Sequence, residues 1–139
     1  MTVYNFYLFD KNGTLLHYAE WNRIKQSGMT LEEEAKLMYG MIFSLKSFVN
    51  RISPTDTKEG FLYYKTSRYA LNYFETPTGL KFILNTDVSS TNVRDVLQQI
   101  YSQIYVEYVV KNPMCPLDEA IQSELFKTML DDFIKHQFL

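Results

Sequence analysis

The sequence predicts an α+β protein with the element order β-β-α-β-β-β-α-α, and three patterns carry this prediction. Apolar side chains occupy both alternating faces of residues 3–10, and an Asn-Gly turn follows them, as in a β-hairpin. Apolar residues recur at helical spacing in three segments. Three strand patterns with short connections indicate an antiparallel meander. Helices with apolar stripes beside a meander predict a sheet covered on both faces, or on one face and an edge.

The first strand is expected at residues 3–10 and its partner at residues 14–21. A capping box begins the long helix at Thr30, whose hydroxyl can accept a hydrogen bond from the amide of Glu33. The helix should stop near Ile52, because Ser53-Pro54 disfavours helical backbone. Met41 and Phe48 flank the stripe predicted to face the core, which comprises Leu31, Ala35, Met38, Ile42, Leu45, Val49 and Ile52.

The second half of the chain is expected to hold three strands, at residues 61–66, 69–75 and 80–85, with a type I turn at Thr76-Pro77-Thr78-Gly79. Ser90 or Thr91 can cap a second helix, whose predicted apolar face is Val93, Val96, Leu97, Ile100, Ile104 and Tyr108. That helix should end before Asn112-Pro113. Asp118 is expected to cap a third helix, which carries Ile121, Leu125, Met129, Phe133 and Ile134.

The amino-acid composition predicts a globular protein and argues against several classes of partner. The 139 residues are 46% hydrophobic and 22% charged with a net charge of −2, which predicts one globular domain over residues 1–139. The charge balance predicts no nucleic-acid partner and no attraction to anionic lipid. No stretch is apolar and long enough for a bilayer span, so direct membrane insertion is not expected. A single cysteine, Cys115, favours a reducing compartment.

No catalytic, cofactor-binding or metal-ligating constellation can be named, so we do not expect an enzyme or a cofactor. His17 and His136 lack accompanying ligands at metal-site spacing and are interpreted as structural or solvated. Cys115 could be a nucleophile or a lipid acceptor, but a lone thiol is more often a small buried hydrophobe. The Asp10–Gly13 segment resembles the start of a calcium loop, yet a hairpin turn explains it better.

The outer face of the first helix carries the sharpest functional hypothesis. At 100° per residue, Tyr39 and Phe43 fall outside the core stripe, and Gly40 falls opposite it, near Lys36 and Ser47. A mid-helix glycine costs about 0.5–1 kcal/mol relative to alanine, and close approach of another backbone would justify it. These five residues are the predicted partner interface. Alternatively, loops of the same chain cover Tyr39 and Phe43.

Five blocks of sequence within residues 3–126 carry a family resemblance. They are Tyr7-Leu8-Phe9-Asp10 with Asn12-Gly13, Lys36-Leu37-Met38-Tyr39-Gly40-Met41, Thr66-Ser67-Arg68-Tyr69, Tyr73-Phe74-Glu75-Thr76-Pro77-Thr78-Gly79, and Val109-Val110-Lys111-Asn112-Pro113-Met114-Cys115-Pro116-Leu117 with Gln122-Ser123-Glu124-Leu125-Phe126. In these blocks the chain resembles the small longin-like (SNARE-like) subunits of the TRAPP transport particle.

The resemblance implies a longin fold: a five-stranded antiparallel sheet with one long helix on one face and two helices on the other. It further implies a non-catalytic core subunit of a vesicle-tethering complex between endoplasmic reticulum and Golgi. That complex is a guanine-nucleotide exchange factor for a Rab GTPase. The implied neighbours are a second longin-like subunit and an acylated α/β subunit, and the implied location is cytoplasmic, peripheral to the endoplasmic reticulum and cis-Golgi. The alternative is a small-molecule sensor of the PAS or profilin-like type, which would need a cavity against the sheet.

Overall fold

A single antiparallel sheet organises the computed structural model, which describes residues 2–21, 28–54, 63–89, 92–114, 116 and 119–138. Its strands are β1 (Val3–Phe9), β2 (Leu15–Glu20), β3 (Tyr63–Lys65), β4 (Tyr69–Glu75) and β5 (Lys81–Asp87). Their spatial order is β2-β1-β5-β4-β3, and every neighbouring pair is antiparallel. The helices are α1 (Leu31–Ile52), α2 (Val93–Gln99), which continues as a π-helical segment (Ile100–Val110), and α3 (Glu124–Phe138).

The sheet is covered on both faces, which confirms the predicted α+β architecture. On one face, α1 lies over a core of Tyr7, Phe9, Ala35, Ile42, Leu71, Tyr73 and Ile83. On the other face, the α2–π helix and α3 enclose a larger core that includes Phe6, Leu8, Phe82 and Leu84 from the central strands. Because β1 has a core on each side, six of its seven residues are buried, as the two-sided apolar pattern predicts.

The predicted strand limits need small corrections. β5 extends two residues beyond the expected end at residue 85, because Thr86 and Asp87 still pair with Ala70 and Tyr69 of β4. β1 and β2 are each shorter than expected, and Asp10 belongs to the turn between them. One carboxylate oxygen of Asp10 accepts from the amides of Asn12 and Thr14, both at 2.9 Å. This geometry is that of a hairpin turn. Residues 61–62 of the predicted third strand lie outside the described residues.

The capping prediction for α1 is confirmed. Thr30 Oγ1 accepts a hydrogen bond from the Glu33 amide at 3.3 Å, and the helix runs from Leu31 to Ile52. The core stripe is narrower than predicted: Leu31 is 44% exposed and Ile52 is 60% exposed. They are the first and last residues of the helix, and the fully buried residues of α1, Ala35 and Ile42, lie between them.

The second helix differs from the prediction in its hydrogen bonding, because its second part is π-helical. Residues Ser90 and Thr91 lie outside the described residues, and Asn92 precedes the helix in a left-handed conformation without a side-chain cap. From Ile100 the hydrogen bonding becomes π-helical; the Lys111 amide, for example, donates to the Val106 carbonyl at 3.0 Å. The wider turn shifts the buried face, so Tyr105 and Val109 are buried while Tyr108 is only half-buried.

The third helix starts later than predicted. It begins at Glu124, where Ser123 Oγ accepts from the Phe126 amide at 3.3 Å and provides the N-cap. Ile121 therefore precedes the helix, and its amide donates to the Leu16 carbonyl of β2 at 2.7 Å. Asp118, the predicted cap, lies outside the described residues. Leu125, one of the apolar residues of the predicted third helix, is 56% exposed, whereas its neighbour Phe126 is fully buried.

Candidate protein-binding surface on helix α1

Helix α1 carries six of the thirteen large apolar side chains that are exposed among the described residues. Of its 22 residues only Ala35 and Ile42 are fully buried. An amphipathic helix on a sheet normally hides one apolar stripe and presents polar side chains elsewhere. Here large apolar side chains also lie on two other flanks of the helix, and each flank is described separately below.

The first flank is the apolar side, which we define as Leu37, Met41, Phe48 and Ile52. These side chains are 62%, 39%, 58% and 60% exposed. At 100° per residue they lie within about 60° of one another, so they form one continuous strip along the helix. Contiguous exposed apolar surface of this kind marks protein contacts. Sequence reasoning missed this side because Ile52 was assigned to the core and Met41 and Phe48 to its margin; the 37–41–48–52 spacing was the available signal.

The second is the glycine side, which lies roughly opposite the buried stripe and which we define as Lys36, Gly40, Phe43 and Ser47. Phe43 is 62% exposed, and it lies about 140° around the helix from Phe48. The Lys36 side chain is 76% exposed, and Ser47 is half-buried. No described atom outside the helix lies within 4 Å of a Cβ built on Gly40. Four of the five sequence-predicted interface residues therefore share one flank that is at least partly open to solvent.

Tyr39, the fifth predicted residue, belongs to the protein's own packing. Its ring lies 5.6 Å from the ring of Phe9, centroid to centroid, and 5.7 Å from Lys81 Nζ. A Cβ on Gly13 would lie 3.1 Å from the same ring. Tyr39 is half-buried, and the β1–β2 turn contacts its ring, as in the alternative interpretation; its place in a partner interface stays a prediction.

Charged side chains anchor α1 to the sheet through Lys46, which lies between the glycine side and the buried stripe. Lys46 Nζ donates to Glu75 Oε2 at 2.6 Å, and Lys81 Nζ lies 3.3 Å from Glu75 Oε1. Burial alone would raise the pKa of Glu75, but the hydrogen bonds and charges of Lys46 and Lys81 outweigh it and hold that pKa below its usual value. Near the helix start, the Tyr7 hydroxyl donates to Glu34.

The two histidines considered for catalysis line different grooves of the protein. His17 packs edge-on against Phe126, with ring centroids 5.2 Å apart, on the face opposite α1. Burial, reinforced by the charge of Lys127 and opposed by that of Asp131, lowers the pKa of His17 to about 4. His136 is exposed on α3. Cys115 lies outside the described residues, so its two interpretations stay predictions. Within the described segments no three His, Cys, Asp or Glu residues are placed to hold a metal ion.

Two grooves lie away from α1's flanks. One, of about 410 Å³, runs between the π-helical segment and α3 over Ile104 and Phe133. The other, of about 350 Å³, lies beside β2 and the Ile121 segment. Against the sheet itself, the space is filled by large side chains such as Tyr7 and Phe82. A search of the described residues finds no helix with the length and apolar character required to span a bilayer.

Comparison with known proteins finds relatives that align with nearly the whole chain. The chain is 59% identical to trafficking protein particle complex subunit 1 of Homo sapiens over 135 residues, covering 97% of this chain and 93% of that protein. It is 44% identical to the subunit 1 of Dictyostelium discoideum, covering 96% and 94%. It is 36% identical to subunit BET5 of Saccharomyces cerevisiae, covering 86% and 79%. The solved structure of Myxococcus xanthus MglB aligns with a TM-score of 0.48 at 16% identity, covering 73% of this chain and 85% of that one.

A family model described as the Sybindin-like family matches residues 3–137. This match spans every strand and helix of the structure except the last residue of α3, and it includes the whole of α1. The chain belongs to the Sybindin-like family.

Proposed function

We propose that this chain is a non-catalytic core subunit of the trafficking protein particle (TRAPP) complex. The observation that carries the proposal is the 59% identity, over nearly the whole chain, to proteins named as subunit 1 of that complex. The exposed strip on the apolar side of α1 supports it, because a stable subunit contact needs such a surface and a monomer does not.

Within the complex, the chain contributes by protein contacts to a composite guanine-nucleotide exchange surface for a Rab GTPase in transport from the endoplasmic reticulum to the Golgi. Its neighbours are a second longin-like subunit and an acylated α/β subunit, and it works at the cytoplasmic side of these membranes. Exchange requires only that the assembled surface bind the nucleotide-free GTPase better than the nucleotide-bound form. Shape and contacts suffice for this, so a subunit without catalytic side chains is compatible with the role.

We assign the apolar side of α1 to the contact with one of these two neighbouring subunits. Leu37 and Phe48 lie on it with more than half of each side chain exposed, and large exposed anchors dominate binding energy in protein interfaces. An interface of ordinary size buries about 1,600 Å² in total, which a 22-residue helix and the adjacent sheet margin can provide.

The test replaces subunit 1 in human cells with a tagged copy of this chain and purifies the resulting complex. We expect the other TRAPP subunits to co-purify, and the purified complex to accelerate release of a fluorescent GDP analogue from its Rab. Recovery of the chain alone, as a soluble monomer, would overturn the proposal.

A matched pair of variants tests the assignment of the surface. Leu37→Ala and Leu125→Ala remove leucines of similar exposure, 62% and 56%, from opposite faces of the sheet. Leu37→Ala, combined with Phe48→Ala, should lower recovery of the neighbouring subunit at least tenfold, whereas Leu125→Ala should not. Equal recovery with both variants would show that the apolar side is not the contact.

A further inference from the structure

Between the glycine side of α1 and its buried stripe, Lys46 joins a half-buried cluster that carries excess positive charge. Lys46 and Lys81 share the single carboxylate of Glu75, at 2.6 Å and 3.3 Å. Their side chains are 33% and 10% exposed, and that of Glu75 is 27% exposed. Two ammonium groups against one carboxylate leave a net charge of about +1 in a region with restricted access to water.

The neighbouring tyrosine does not neutralise this charge. Burial, followed by the nearby Glu75 carboxylate, raises the pKa of the Tyr73 hydroxyl, so Tyr73 remains uncharged at physiological pH. The Lys81 ammonium also donates to the Gly79 carbonyl at 3.0 Å and lies 5.7 Å from the ring of Tyr39. The Lys81 ammonium is thus engaged by groups of this chain. Lys46 is different, because among the described residues it bonds to Glu75 alone and is one-third exposed.

Lys46 is placed beside an apolar anchor and an open stretch of backbone. It follows Phe43 by three positions, so the two side chains are neighbours on the helix surface. Phe43 is 62% exposed, and the space above Gly40, one turn earlier, holds no described atom within 4 Å of a built Cβ. Gly40, Phe43 and Lys46 thus follow one another at three-residue spacing, each about 60° around the helix from the last, and offer in that order room for a backbone, an exposed ring and a cation with spare donors.

We infer that the glycine side receives a segment of a partner subunit that bears an Asp or Glu carboxylate next to an apolar side chain. The carboxylate pairs with Lys46, the apolar side chain packs on Phe43, and the segment's backbone passes over Gly40. Charge complementarity selects this occupant, since an acidic group offsets the excess positive charge and a basic or purely apolar segment does not. The inference rests on the proposed function, because it requires that the chain be one subunit of an assembly.

Carbodiimide cross-linking of the purified complex tests the contact directly. This reagent joins an amine to a carboxylate only when the two touch. Lys46 should yield two products by mass spectrometry: an internal link to Glu75, which serves as the positive control, and a link to an Asp or Glu of another subunit. Lys46→Arg should abolish both links while leaving the complex intact, because arginine keeps the charge but does not react.

Affinity measurements give an independent readout. Phe43→Ala and Lys46→Gln should each raise the Kd of the tagged chain for the remaining subunits about tenfold or more, and Lys46→Arg should restore most of the loss. Lys135→Gln, an exposed lysine on α3, should change the Kd less than twofold. Thermal denaturation of each free variant separates loss of binding from loss of folding.

Each experimental outcome either supports or overturns the inference about the glycine side. If the chain enters the complex but Lys46 links only to Glu75, or if Phe43→Ala leaves the Kd unchanged, the inference fails and the proposed function stands. If the free chain gives an intermolecular Lys46 link without other subunits, the occupant is a second copy of this chain and the inference is overturned. If the chain does not enter the complex at all, both the inference and the proposed function fail.

Discussion

The ring of Tyr39 lies directly on Gly13, at 3.1 Å from the position of a Cβ on that glycine. The contact joins the middle of α1 to the turn between β1 and β2. Gly13 has a φ of +85°, so the turn needs glycine for its backbone as well as for the space it leaves to the ring. The Asn-Gly turn and the Tyr39-Gly40 pair, separate motifs in the sequence, thus meet in the structure.

Gly13→Ala should lower the free energy of unfolding by about 2–4 kcal/mol. About 1–2 kcal/mol comes from the left-handed backbone, and the rest from displacing the Tyr39 ring. Gly28→Ala is the control, since Gly28 has a φ of +77° but no described atom within 4 Å of its Cβ position. Urea denaturation of both variants isolates the ring contact. Equal losses would show that Tyr39 moves away without cost.

Gly40→Ala should stabilise the free chain by about 0.5–1 kcal/mol, because alanine is the better helix former and the Cβ enters open space. Chemical denaturation of the free chain measures this gain. The same variant should weaken assembly into the complex if a partner backbone passes over Gly40. A destabilised free chain would contradict the open space that the structure places there.

His17 should make the protein less stable in mild acid. Its folded-state pKa is about 4, below the ordinary value of 6.5, so the unfolded chain takes up a proton that the folded chain excludes. The free energy of unfolding should therefore fall as the pH drops from 6.5 to 4, by up to about 3 kcal/mol. His17→Phe keeps a ring against Phe126 and should remove this part of the slope. An unchanged slope would show that His17 does not cause it.

Glu75 should contribute stability at neutral pH that is lost in acid. Its pKa is held below the ordinary value of 4.5, so its ion pairs persist at higher pH and disappear as the pH falls through the lowered folded-state pKa. The difference in unfolding free energy between the natural chain and Glu75→Gln should be largest near pH 7 and shrink below about pH 4.5. A difference that stays constant down to pH 3 would rule out the charge of Glu75 as its source.

Local patterns identified most of the fold. The limits of α1 were predictable because Thr30 caps the helix through its own neighbour Glu33, and Ser53-Pro54 ends it within the same few residues. The start of α3 was not, because the bond from the Ile121 amide to the distant Leu16 carbonyl keeps residue 121 outside the helix, and Ser123 provides the cap. The π-helical turn also escaped prediction, since the apolar residues after Ile100 fit either helical spacing.

Part of the candidate surface on α1 could be predicted from the sequence. Phe43 and Gly40 were placed on the outside of α1 by helical geometry alone, and they are exposed. Tyr39, one residue from Gly40, was placed with them, but a turn that lies 26 positions earlier in the chain contacts its ring.

The sequence by itself determined the order and type of the elements and the buried stripe of α1, because periodicity and caps act over a few neighbouring residues. Tertiary structure decided that the β1–β2 turn packs on the Tyr39 ring and which charges of the sheet pair with α1. The pairing of Lys46 with Glu75 brings together residues 29 positions apart. Such contacts depend on where the whole helix crosses the sheet, which packing across the two cores sets and no short pattern encodes.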